Sequence, residues 1–146
     1  MNREGNMHQM FFVVWQDEFA TGIPIVDEQL RGLVSLINTF FFHRADAKGD
    51  ISRFLVPTAE MFKSYAQLNF LTMERLLREA GYPELDEYRK KHRDVICRIR
   101  VMDARYRRER NADGFLDLLK NYWVKSIQSE KKPYMTWLLA HHKISL

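Results

Sequence analysis

Two pairs of residues flank the turn at Gly81-Tyr82-Pro83. Asn69 and Met73 stand four apart before it, and Tyr88 and His92 stand four apart after it. Residues at that spacing share one helical face. Two antiparallel helices joined by so short a turn bring both pairs to the same depth of a bundle core, where bundle proteins hold metals and cofactors. The residue types limit the chemistry. One imidazole, one phenol, one carboxamide and one thioether supply hydrogen bonds and a soft sulfur but no carboxylate, so a hard cation would meet little opposing charge. Ser126, later in the chain, adds a hydroxyl. Buried polar groups need partners. Asn69, Tyr88, His92 and Ser126 are therefore expected either to satisfy one another and a trapped water, with His92 donating to Tyr88 or Asn69, or to line a small polar pocket that accepts a ligand.

Other reactive sets are absent. No Ser-His-Asp or Cys-His arrangement, Gly-rich phosphate loop or paired inward carboxylate occurs, so no catalytic residue is assigned and no enzyme is expected. Cys97 is the single cysteine. It precludes an intrachain disulfide, fits a reducing compartment, and reads as a small apolar residue within a helix because Ile96 and Ile99 offer it no base. His141 and His142, beside Lys143, could meet His8 or His43 over a metal, but adjacent helical residues face apart. From Glu84 to Arg110 ten Lys or Arg stand against six Asp or Glu, as large an excess as the whole chain's +4. Arg105, Arg107, Arg108 and Arg110 form a candidate patch for an anionic partner. Interleaved Asp94, Asp103 and Glu109 favour a solvated face instead, and a nucleic acid is not the expected partner.

The elements that place these residues follow from apolar periodicity. The chain of 146 residues is 46% hydrophobic, enough for one domain with a full core over residues 1–146. Residues 1–24 read as an extended arm whose Phe11, Phe12, Val14 and Trp15 pack on the body. Helices are expected at 26–43, 52–80, 84–108 and 114–129, with a short C-terminal helix at 133–142. Asp50 or Ser52 is the expected cap of the second helix after a loop from Ala45 to Gly49, and Asp113 that of the fourth. Inward stripes comprise Met61, Phe62, Tyr65, Leu68, Asn69, Thr72, Met73 and Leu76 on the second helix, and Tyr88, His92, Val95, Ile96, Ile99 and Met102 on the third. Tyr134, Trp137 and Leu138 are expected to cap one bundle end with Trp15. The fold class is all-α, an up-down-up-down four-helix bundle with an extended N-terminal arm. The apolar run from Met10 to Trp15 is too short to span a membrane, and the chain reads as cytoplasmic.

Beyond periodicity, the segment from Trp15 through Phe19, Gly22-Ile23 and Asp27 to Gln29-Leu30 resembles the W-x3-(Y/F)-x2-G-I-x2-I-D-x-Q-H pattern of the hemerythrin and bacteriohemerythrin family. Phe70 to Leu77 with Gly81-Tyr82-Pro83 is similar to that family's H-F-x2-E-E-x-L-M stretch and G-Y-P turn. Tyr88 to His92 stands where the family has H-x3-H, and Ser126 to Tyr134 where it has H-I-x3-D-K-x-Y. In the family, five histidines, a glutamate and an aspartate hold two irons. The resemblance places Leu30, Asn69, Met73, Tyr88, His92, Ser126 and Lys131 at those positions, and only His92 keeps the ligand type. A shift by one in the fourth helix would substitute Ile127 and Lys132. The expected protein is thus a metal-free, cofactor-free, non-enzymatic hemerythrin-like bundle that interacts with a protein or senses a small ligand. The alternative is an oxygen- or iron-binding bacteriohemerythrin-type carrier or storage protein with an altered di-iron site. A weaker alternative is an adaptor for an anionic partner through the basic third helix.

Overall fold

A proline with its fixed φ opens the first helix, a position where its missing N–H costs nothing. The computed structural model describes residues 12–45 and 51–141, the Ser52 side chain excepted. Helix α1 is Pro24–Ala45, α2 Ser52–Glu79, α3 Leu85–Glu109, α4 Ala112–Asn121 and α5 Lys132–His141, with a π-helical segment at Tyr122–Glu130 between the last two. Each of α1 to α3 packs on the next, and α4 returns to α1, giving an all-α helical bundle. Phe11, His8, His142, Lys143, Asp50 and the expected loop residues 46–49 lie outside the described residues.

Local chemistry sets the boundaries. At the start of α1, Asp27 accepts hydrogen bonds from the Thr21 backbone N–H at 2.7 Å and from its hydroxyl at 2.6 Å. Gly22, at φ +85°, makes the bend that brings Thr21 there. At the end of α2, Gly81 adopts φ +76°, and Tyr82 N–H closes onto the Leu77 carbonyl at 2.9 Å. That is the left-handed glycine cap expected ahead of Pro83.

Helix α3 stops at Arg110, which takes a left-handed φ of 50°. The cap of α4 differs from the sequence expectation: Asn111, not Asp113, accepts from Gly114 N–H at 2.9 Å. Asp113 instead bonds Arg44 of α1 at 2.7 Å. Gly114 lies inside α4, where an added Cβ would stand 2.4 Å from the Tyr106 ring.

The core runs the length of the bundle. At one level Phe40, Phe62, Phe115 and Tyr122 meet edge to face, with centroids 5.1 to 6.4 Å apart. Several expected inward residues turn out. Met61 and Leu68 are 51% and 53% exposed. They lie seven apart on one outer stripe, and Phe62, Ala66 and Phe70 fill the inward positions.

On the arm, Val13 is buried and Val14 exposed, because Asn38 of α1 grips Val13. The Asn38 carbonyl oxygen accepts from Val13 N–H at 2.9 Å, and its amide donates to the Val13 carbonyl at 2.7 Å. The expected aromatic lid divides in two. Trp15 meets Phe19, which meets Trp123, whereas Tyr134 and Trp137 flank Tyr82.

Asp103 on α3 is a buried carboxylate held by Lys63 at 3.1 Å and by Arg107 at 2.9 Å. Arg107 also pairs with Glu60. One arginine of the candidate patch is therefore committed to the fold. Arg105 pairs with Glu109 at 3.4 Å, and Arg108 and Arg110 are exposed.

Candidate functional site

Helices α1, α2 and α3, the π segment and Lys131 at its end carry the seven ligand positions of the resemblance into the bundle. Leu30, Asn69, Met73, Tyr88, His92 and Lys131 are buried, Met73 completely, and Ser126 is half-buried. Ser126 and Lys131 are five apart, a spacing that an α-helix would turn to different faces. The π segment, with its i→i+5 bonding, brings them onto one face. Lys131 faces inward and Lys132 is exposed. Ile127 is also buried, but toward a separate groove that it shares with Leu30 and Phe19.

The polar groups do not pair as expected. His92 Nε2 lies 3.3 Å from Gln67 Oε1, so the ring donates to Gln67 and not to Tyr88 or Asn69. Asn69 turns away instead, its amide donating to Gln29 Oε1 at 3.0 Å, and Gln29 donates to Thr72 at 2.8 Å. These bonds form a rung between α1 and α2. His92 stacks on Phe70 at 4.4 Å. Burial lowers its pKa, with Lys131 and Arg93 adding to the shift against Glu74, so the imidazole is neutral near pH 7.

Lys131 is the residue whose importance the ligand-set comparison understates. Its Nζ has no hydrogen-bond partner and sits over the rings of Phe70 at 4.7 Å and Tyr122 at 5.9 Å. Burial pulls its pKa down to about 7. The Tyr88 and Tyr122 hydroxyls and the Asn69 carbonyl oxygen are also buried without partners, and burial pushes both phenols up.

A cavity of about 470 Å³ opens beside these groups, lined from within by Phe70, Tyr88, Ser126, Lys131 and Tyr134. Of the four expected pocket residues, the structure brings Tyr88 and Ser126 to this cavity. Asn69 and His92 are occupied elsewhere, and Lys131 takes their place.

The donor set does not fit a pair of irons. Among the described residues no cluster of His, Cys, Asp or Glu is arranged to hold a metal. At the seven positions stand one imidazole, no carboxylate and one buried amine that would repel a cation. The weaker histidine set fares no better: His43 stacks on Phe54 at 3.8 Å, and His141 Nδ1–H donates to the Trp137 carbonyl at 2.8 Å. Cys97 is exposed on α3. No described helix is long and apolar enough to cross a membrane.

In all-α bundles, ligand and cofactor sites are built between facing helices, which is where this cavity lies. Comparison narrows the class, although no protein-family model matches the chain. A bacteriohemerythrin of Stenotrophomonas maltophilia is 26% identical over 134 residues, covering 90% of this chain and 85% of the relative. One from Pseudomonas aeruginosa is 28% identical over 128 residues, covering 86% and 81%. A third, from Clostridium acetobutylicum, is 26% identical over 129 residues, covering 81% and 94%. The chain is thus a helical protein similar to bacteriohemerythrins over most of its length.

Proposed function

We propose that the chain is a single hemerythrin-like domain that has given up di-iron oxygen binding and serves, without metal or catalysis, as a cytoplasmic small-ligand-sensing or interaction module. The observation that carries this reading is Lys131. A buried amine stands where the resemblance expects a bridging carboxylate, beside a cavity lined by Tyr88 and Ser126. An amine there cannot bridge two cations, and when protonated it adds repulsion at short range. Leu30 and Met73, both buried, supply apolar volume where ligands would otherwise project.

The test is anaerobic reconstitution of the full chain with ferrous iron, followed by iron analysis and a visible spectrum in air. The expected result is no stoichiometric iron and no oxo-bridged absorption band. A pair of irons per chain with such a band overturns the reading and favours the oxygen-binding alternative.

A further inference from the structure

Two hydrogen-bond donors with nothing to donate to lie shielded from solvent on residues that line the same cavity. Tyr88 is 2% exposed and Lys131 6%, and neither the phenol oxygen nor Nζ has a partner. Both residues line the cavity of about 470 Å³. Folded proteins rarely leave such donors unmet, because a buried donor without a partner loses its hydration and gains nothing in return. The arrangement also lacks a counter-charge, since among the described residues Lys131 enters no ion pair while burial holds its pKa near 7.

Resting on the metal-free reading above, we propose that this cavity binds a small organic monocarboxylate with a flat apolar body, its carboxylate accepting hydrogen bonds from Lys131 and Tyr88. A carboxylate offers two acceptor oxygens and the missing negative charge together. One inward amine matches one carboxylate. Phe70 and Tyr134 contribute aromatic side chains to the cavity wall, which suit an aromatic body. At the rim, Lys91 and Arg98 attract an anion, tempered by Asp94 and Glu130. In the structure Nζ is shielded from solvent against the Phe70 ring. Binding therefore turns the end of the lysine from that ring toward the cavity its stem already lines.

Benzoate is the probe, with benzamide as its uncharged counterpart, titrated by calorimetry into the full chain, Lys131→Met and Tyr88→Phe. Saturable benzoate binding is expected, weaker by roughly tenfold or more for benzamide, since each tenfold is about 1.4 kcal/mol. Lys131→Met abolishes the preference for benzoate while circular dichroism stays helical, and Tyr88→Phe weakens benzoate a few-fold. Absence of benzoate binding, equal binding of the two probes, or benzoate binding unchanged in Lys131→Met overturns the proposal. Iron separates the two failures. A chain that takes up neither iron nor benzoate refutes this inference alone, whereas uptake of an iron pair refutes the metal-free reading beneath it.

Discussion

Replacing Lys131 by methionine should stabilise the protein, and the gain should shrink as pH rises. In the fold the lysine pKa is lowered from 10.5 to about 7 by burial. Between those values the unfolded chain holds a proton that the folded chain has released, so folding must expel it. The penalty is full below about pH 7 and fades as pH climbs toward 10.5, so wild-type stability rises across that window. At roughly 1.4 kcal/mol per unit, the penalty is about 4 kcal/mol at pH 7.5 and only about 1–2 kcal/mol at pH 9.5.

The neighbours stay quiet between those limits. His92 on α3 has its pKa lowered and is already neutral, while Tyr88 on α3 and Tyr122 in the π segment have theirs raised and remain so. Urea unfolding of both proteins, followed by far-UV circular dichroism at the two pH values, should show the methionine variant's advantage falling by about 2–3 kcal/mol. An advantage that does not change with pH, or none at all, would falsify the assignment of a deprotonated buried lysine.

Asp103→Asn should cost roughly 3 kcal/mol in the same urea experiment, because it removes the buried charge that Lys63 and Arg107 share. Asn38→Ala removes both hydrogen bonds to Val13 and should cost about 1–2 kcal/mol. The loosened arm should also be cut sooner under limited proteolysis, and an unchanged cleavage rate would count against Asn38 as its latch.

The helices were legible because apolar steps of three and four, the Gly81-Tyr82-Pro83 turn and the early Pro24 are local signals. Burial was less so. Met61 and Leu68 keep helical spacing with the core residues of α2 yet face solvent, since periodicity defines a stripe without saying how wide the neighbours make it. Asp103 sits in a charged run that reads as a solvated face, although its i+4 relation to Arg107 and its place four residues after Ile99 on the inward stripe point inward. Asn111 and Asp113 are both good caps, and what decided between them was Arg44, distant in sequence.

At the site, the residue types at the resemblance positions were plain, but their partners were not. Gln67 and Gln29, neither of them one of the seven ligand positions, claim His92 and Asn69. That Lys131 borders the cavity depends on a π segment. The clue was the five-residue step from Ser126 to Lys131, which suits i→i+5 bonding and not the α-helix.

That widened turn has a consequence for how the chain tolerates change. In ordinary helix, losing one residue swings everything downstream by about 100°. Between Ser126 and Lys131 the loss can be absorbed, because a four-residue step in α-helix and a five-residue step in π-helix end on the same side. Gln128 and Ser129 are both exposed there. Deleting either one lets the segment tighten to α-helix while Met135 and Leu138 keep facing the core, which makes this stretch a built-in place for the chain to shorten without re-aiming its last helix.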